Sequence, residues 1–128
     1  GSVIFNSGRW VGYVGKDLDL TLDLGEVKPI RLISVRTLIS PAQWIMPHRG
    51  LYVWVSTDGK NFEDIYDLPA DPMPANKPDY IDTENVLLPM AKEARYVRIK
   101  MLSEKSMPAW HPHTGKPGWL FVDEVTIE

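Results

Sequence analysis

Asp17-Leu18-Asp19-Leu20-Thr21-Leu22-Asp23-Leu24 sets a polar residue beside an apolar one at every step. That period of two marks a strand with one face in a core and the other in water. Wound as a helix, the same leucines would be smeared around the cylinder and would bury no stripe. Gly25 is read as the end of this strand, and Ile30 to Ile39, β-branched and apolar with Arg31 and Arg36 interspersed, as the next. Leu51-Tyr52-Val53-Trp54-Val55-Ser56 is a third, with Leu51, Val53 and Val55 on one face and Tyr52 and Trp54 on the other. Thr57-Asp58-Gly59-Lys60 is a tight-turn signal that folds the chain back into Asn61 to Tyr66 as a hairpin. Tyr80 to Leu88 is a weaker strand stopped by Pro89, and Ala94 to Met101 alternates again.

A proline-rich connection lies between Asp67 and Pro78, and a second wide loop runs from Pro108 to Trp119. The second carries two tryptophans and two of the chain's 3 histidines, and its prolines and glycines rule out a helix. The last strand follows, with Phe121, Asp123, Val125 and Ile127 on one side and Leu120, Val122, Glu124 and Thr126 on the other. These mixed faces imply burial on both sides or a functional acid at one end. Nowhere do apolar residues recur at helical spacing over three turns. Short strands punctuated by turns predict an all-β chain, a β-sandwich or jelly roll, in one domain spanning 1–128.

Composition narrows the function. At 128 residues the chain needs neither disulfide nor metal to fold, and with 0 cysteines it has no thiol chemistry. A net charge of -3 without long runs gives no basic face for nucleic acid or for an anionic membrane. No apolar stretch approaches the roughly 20 residues of a membrane span, and the opening residues lack the regions of a secretory leader. The chain reads as a piece of a longer protein.

No catalytic grouping emerges. Asp17, Asp19 and Asp23 fall on a solvent face, and strict alternation puts Asp123 and Glu124 on opposite faces, so neither set flanks one bond as glycosidase carboxylates do. His111 and His113 stand two apart, with His48 a third nitrogen for zinc, but the remaining ligands of a metal-hydrolase site are not in view. There is no nucleophile elbow and no phosphate-cradling loop.

Read in order, Trp10-x-Gly12-Tyr13, Gly15-Lys16-Asp17-Leu18, Asp23-Leu24-Gly25, Val53-x-Val55-Ser56-x-Asp58-Gly59-Lys60-Asn61-Phe62, Ala94-Arg95-Tyr96-Val97-Arg98-Ile99 and Trp119-Leu120-Phe121-Val122-Asp123-Glu124-Val125 resemble a coagulation factor 5/8 type C, or discoidin-like, domain. The likeness covers nearly the whole chain and implies a jelly roll of about eight antiparallel strands. Gln43-Trp44-Ile45-Met46-Pro47 and Trp110-His111-Pro112 add a narrower resemblance, to the galactose-binding-like domain appended to bacterial β-hexosaminidases and putative chitobiases. It implies a non-catalytic accessory domain of a secreted, periplasmic or cell-surface glycoside hydrolase, monomeric, with its own catalytic domain as a partner.

The resemblance further implies a galactose- or N-acetylhexosamine-type glycan as ligand, met where loops Ser7 to Gly15, Ser40 to Gly50 and Ser103 to Gly118 gather at one end. The residue types fit: aromatic faces stack on the apolar side of a sugar ring while polar groups re-pair its hydroxyls. The candidates are Arg9, Tyr13, Trp44, His48, Arg49, Trp110, His111 and His113. Trp44 and Trp110 are the stacking platform or, alternatively, core plugs between loops; Trp54 and Trp119 are assigned to packing and Trp10 is left open. Relatives also open with a turn that helps hold a structural Ca2+. This chain is read as starting inside that turn, with Asn6 and Glu124 as the remaining calcium ligands. Two alternatives stay beside glycan binding: a docking module packed on its catalytic domain, and a phospholipid binder, for which liposome pelleting is not expected.

Overall fold

The alternation at 17–24 is the opening of β2, Leu18–Ile39, where Leu18, Leu22 and Leu24 are buried and Asp19, Thr21 and Asp23 face water. The computed structural model describes residues 2–12 and 15–128, and the side chains of all of these except 6–12. The remaining strands are β1 (Val3–Gly12), β3 (Gly50–Ser56), β4 (Glu63–Pro69), β5 (Tyr80–Leu102) and β6 (Leu120–Ile127), with one 3-10 turn at Pro41–Gln43. Every pairing among them is antiparallel.

Two strands are longer than the sequence suggests. Gly25 and Pro89 do not end strands: β2 and β5 run through them for 22 and 23 residues. Their ladder slips between Asp23 and Lys28 and again between Ile30 and Leu32. Gly25 supplies the bend with φ +89, and its N–H is held by Asp23 Oδ1 at 2.8 Å. The consequence is a sandwich made from one hydrogen-bonded order, β1-β6-β2-β5-β3-β4. The first half of β2 pairs with the second half of β5, which carries β3 and then β4. The second half of β2 pairs with the first half of β5 on one side and with β6, then β1, on the other. Counting each half separately gives the eight strands of a jelly roll. Leu22, Val53, Val97 and Ile99 from one layer share a core with Ile33, Val35, Val86 and Val125 from the other.

The last strand also departs from simple alternation. Leu120 and Val122 are buried, but so are Val125 and Ile127, because the β2–β6 register steps from Arg36↔Glu124 to Thr37↔Val122 and leaves Asp123 as a bulge. The acids are therefore not one per face. Arg36 Nε donates to Asp123 Oδ2 at 2.6 Å while its Nη2 stands 3.6 Å from Glu124 Oε2.

The β3–β4 hairpin forms as read. Asp58 Oδ1 accepts from the backbone of Lys60 and Asn61, and the Ser56 hydroxyl accepts from Asp58 and Gly59. Those N–H bonds, first that of Asn61, hold the Asp58 carboxyl far below its ordinary value. The hydrogen bond from Arg98 also lowers the Asp19 carboxyl, that from Arg95 lowers Asp23, and that from His48 lowers Glu84. A depressed carboxyl contributes stability above its unfolded pKa of about 4 and loses it as pH falls through the folded value. Urea midpoints are expected to drop below about pH 4, and Glu84→Gln is expected to flatten that drop.

Candidate functional site

The loops at one end of the sandwich are tied to each other by backbone. Met46 N donates to Trp119 O at 3.0 Å and Trp119 N to Trp44 O at 2.8 Å, so the connection 40–50 is bound to the end of the loop 103–118. Gly15 N reaches Gly118 O at 3.3 Å, which brings the N-terminal connection to the same place. That connection is shorter than expected, since Ser7 to Gly12 belong to β1. A fourth segment joins in: Trp110 Nε1 donates to Met73 O at 2.8 Å.

Beneath these loops lies a second small core of Ile39, Met46, Met73 and Met107, with Trp44, Tyr80 and Trp110 packed against it. Methionine suits such a gap between irregular loops because its unbranched chain adapts to the space. Gly118 sits at the tightest point. A Cβ there would stand 2.9 Å from Met46 Cγ, 3.2 Å from Trp44 O and 3.3 Å from Met107 Cε. Gly118→Ala is expected to cost about 1–3 kcal/mol, the usual penalty of overpacking, measured as a lower denaturation midpoint.

Trp44 and Trp110 are thus both plug and surface, each half-buried over the methionines with part of its ring outside. Trp44 adopts a left-handed backbone, φ 67, which a bulky side chain takes only when its surroundings enforce it. The enforcing contacts are its N–H to Pro41 O at 3.0 Å and its carbonyl to Trp119. The twist leaves its ring 4.6 Å from that of His113.

The three histidines do different things. His111 is 4% exposed; its Nδ1 accepts from His113 N at 3.0 Å, which puts the ring proton on Nε2, and Nε2 meets Pro41 O at 2.8 Å. Nδ1 is consumed within its own loop and Nε2 in fastening that loop to the 40–50 connection. His48 is buried too: Nδ1 accepts from Gly50 N and Nε2 pairs with Glu84 Oε1 at 2.8 Å, and Glu84 also takes the Tyr66 hydroxyl. His113 is exposed, its ring 4.6 Å from that of Trp44 and 5.9 Å from that of His111. Arg49 is a fastener as well, donating from Nε to Ala70 O at 2.9 Å and from Nη1 to both oxygens of the buried Glu104 at 3.2 and 3.1 Å.

Among the described residues of these loops lies a hollow of about 230 Å3. Trp110, Pro41 and Pro112 give it apolar walls, His111 and His113 form another side, and Ala42 and Asn76 complete the rim. The structure therefore brings Trp44, Trp110, His111 and His113 together, while His48 and Arg49 hold the loops from other positions. Asn76 was not singled out from sequence, where it is one polar residue in a proline-rich connection. Its only signal is the four prolines between 67 and 78, which stiffen that segment enough to present an amide. Arg9 lies in β1 with its side chain not described, and Tyr13 lies outside the described residues.

Of the two expected calcium ligands, Glu124 has a described side chain and Asn6 does not. Glu124 accepts from Thr126 Oγ1 and faces the Arg36 guanidinium, and among the described residues no three His, Cys, Asp or Glu side chains are grouped to hold a metal. Asn6 pairs with Glu124 across the β1–β6 ladder, and its side chain is not described.

A two-layer antiparallel jelly roll with an aromatic hollow among its end loops defines a sandwich module whose candidate site lies off the sheets. The chain belongs to the F5/8 type C domain family, whose sequence model matches residues 2–119. Comparison with curated proteins gives no match. Among solved structures, CpGH89CBM32-6 produced by Clostridium perfringens has a TM-score of 0.61 at 18% identity, covering 99% of this chain and 92% of that one. CpGH89CBM32-5 from Clostridium perfringens, in complex with GalNAc-β-1,3-galactose, has a TM-score of 0.53 at 17% identity over 87% of this chain and 65% of that one. A glycoside hydrolase has a TM-score of 0.51 at 24% identity over 86% of this chain and 19% of its own. At these identities the likeness establishes the shared fold.

Proposed function

We propose that this domain is a non-catalytic carbohydrate-binding module, taking one residue of a galactose- or N-acetylhexosamine-type glycan in the hollow beside Trp110. The observation that carries this is the hollow's composition: an indole and two prolines as apolar walls, with His113 and Asn76 free to hydrogen-bond at its rim. A sugar needs both, since its C–H face offers only desolvation and dispersion while each hydroxyl must be re-paired. The complex of a similar structure with GalNAc-β-1,3-galactose supports the ligand class, and the match to 19% of a glycoside hydrolase supports an accessory place in a larger, exported enzyme.

A docking module that hid both tryptophans would leave no such hollow, so the half-exposed rings favour the glycan. The test is titration of galactose, N-acetylgalactosamine and N-acetylglucosamine into 15N-labelled protein. Shifts confined to Trp110, His113 and Asn76 are expected at a Kd of about 1 mM, the weak range of a single shallow site. Asn76→Ala and His113→Ala, both at exposed positions, are expected to weaken binding at least fivefold and to leave the unfolding midpoint unchanged. No perturbation of these residues by any of the three sugars would overturn the proposal.

A further inference from the structure

The outer face of the β3–β5 ladder carries a second aromatic group that the loop hollow does not use. Tyr52 and Trp54 project from it, their rings 6.5 Å apart and inclined by 26°, both half-buried. The Tyr52 ring lies down over Gly50, where a Cβ would stand 2.8 Å from Cε2, so glycine makes room for it. Across the ladder Tyr52 is opposite Lys100 and Trp54 opposite Arg98. Tyr52, Trp54, Lys100 and Leu102 enclose a hollow of about 220 Å3. That is below the roughly 300–1,000 Å3 of sites for drug-sized ligands, and suits a single ring.

The two cations differ. Arg98 lies over the Trp54 ring at 4.9 Å and is neutralised by Asp19, with Nε and Nη2 at 3.0 and 2.6 Å from its two oxygens. The Lys100 ammonium makes no hydrogen bond or ion pair among the described residues. The acids that feel its charge, Asp17 and Asp19, are already held by Lys105 and Arg98. On the far side, β4 sets Asp67 opposite Tyr52 and Asp64 opposite Trp54. An incoming carboxylate is repelled from that side and drawn toward Lys100, which fixes the way a ligand lies.

We propose that this sheet face is a second glycan site, selective for a carboxylated sugar ring, a uronic-acid residue, seated against Tyr52 and Trp54 with its carboxylate on Lys100. It lies on strands rather than loops, so its geometry is fixed by the ladder. A neutral sugar would find the same ring surfaces with no partner for the ammonium, and is expected to bind more weakly.

The test is a titration of methyl galacturonide and methyl glucuronide against their neutral parent glycosides, followed by 1H–15N NMR with the Trp54 indole as reporter. The uronides are expected to shift Trp54 and the strand around Lys100, with at least fivefold preference over the neutral sugars. Lys100→Gln is expected to abolish that preference and Tyr52→Ala to weaken uronide binding at least fivefold, while Asn76→Ala leaves it unchanged. Equal binding of acid and neutral sugar, insensitivity to Lys100→Gln, or shifts confined to Trp110 and His113 would each overturn the proposal. Because the two sites share no residue, failure here leaves the loop hollow untouched.

Discussion

Arg49→Met is expected to destabilise the domain by about 3–5 kcal/mol, the cost of leaving a buried charge without its partner. Glu104 is 3% exposed, and its two oxygens meet one guanidinium nitrogen. Besides that bond, Glu104 Oε1 accepts only from Ser106 N at 3.2 Å among the described residues. The same side chain holds Ala70 O, so it ties the connection 40–50 to the residue after β4 as well as to Glu104, while the Arg49 backbone N–H donates to Leu102 O at 2.7 Å whatever the side chain. The midpoint of thermal unfolding is expected to fall by roughly 10–20 °C for a chain of this size. The double substitution Arg49→Met with Glu104→Met should recover much of the loss, because an apolar pair has no charge to strand. A double variant as unstable as Arg49→Met alone would show that the arginine acts through Ala70 instead.

Trp110→Ala is expected to have the largest effect on ligand binding. The ring forms a wall of the loop hollow, packs on the methionine cluster and donates its N–H to Met73 O. Its removal should cost about 2–3 kcal/mol of stability, less than the 3–5 of a fully buried ring, and should weaken glycan binding at least tenfold. Trp110→Phe separates the roles. It keeps an aromatic face and drops the hydrogen bond, so binding should survive within a few-fold while stability falls by about 1 kcal/mol. Unchanged sugar affinity in the alanine variant would place the ligand elsewhere.

Much of the fold could be read from period-two alternation alone, because a strand with one buried face writes that burial into its sequence. The leucines of 18–24 and the Val97-Ile99-Met101 series face the core as their spacing requires. Gly25 and Pro89 misled because a residue that breaks one strand also bends a strand that continues, and only the partner across the ladder decides which. Asp123 misled for a related reason: a bulge adds a residue without changing composition, and every side chain beyond it changes face. Site residues were harder. His48, Arg49 and His111 are of sugar-binding type, yet each is spent on a backbone oxygen, a backbone N–H or a buried carboxylate that sequence does not reveal. The proposed hydrogen-bonding role of Asn76 depends on a segment far along the chain being pinned by the Trp110 indole.

The shared strands β2 and β5 have a kinetic consequence. Leu18 pairs with Met101 and Ile39 with Tyr80, so the ladder common to both layers closes only when residues far apart in the chain meet. Neither layer has a local substitute for it, and the β3–β4 hairpin alone has too few strands to stand in water. Folding is therefore expected to be slow for a domain of this length, in the millisecond-to-second range of high-contact-order β proteins. Both layers should appear in one phase, with the loop hollow protected from hydrogen exchange no earlier than the ladder beneath it.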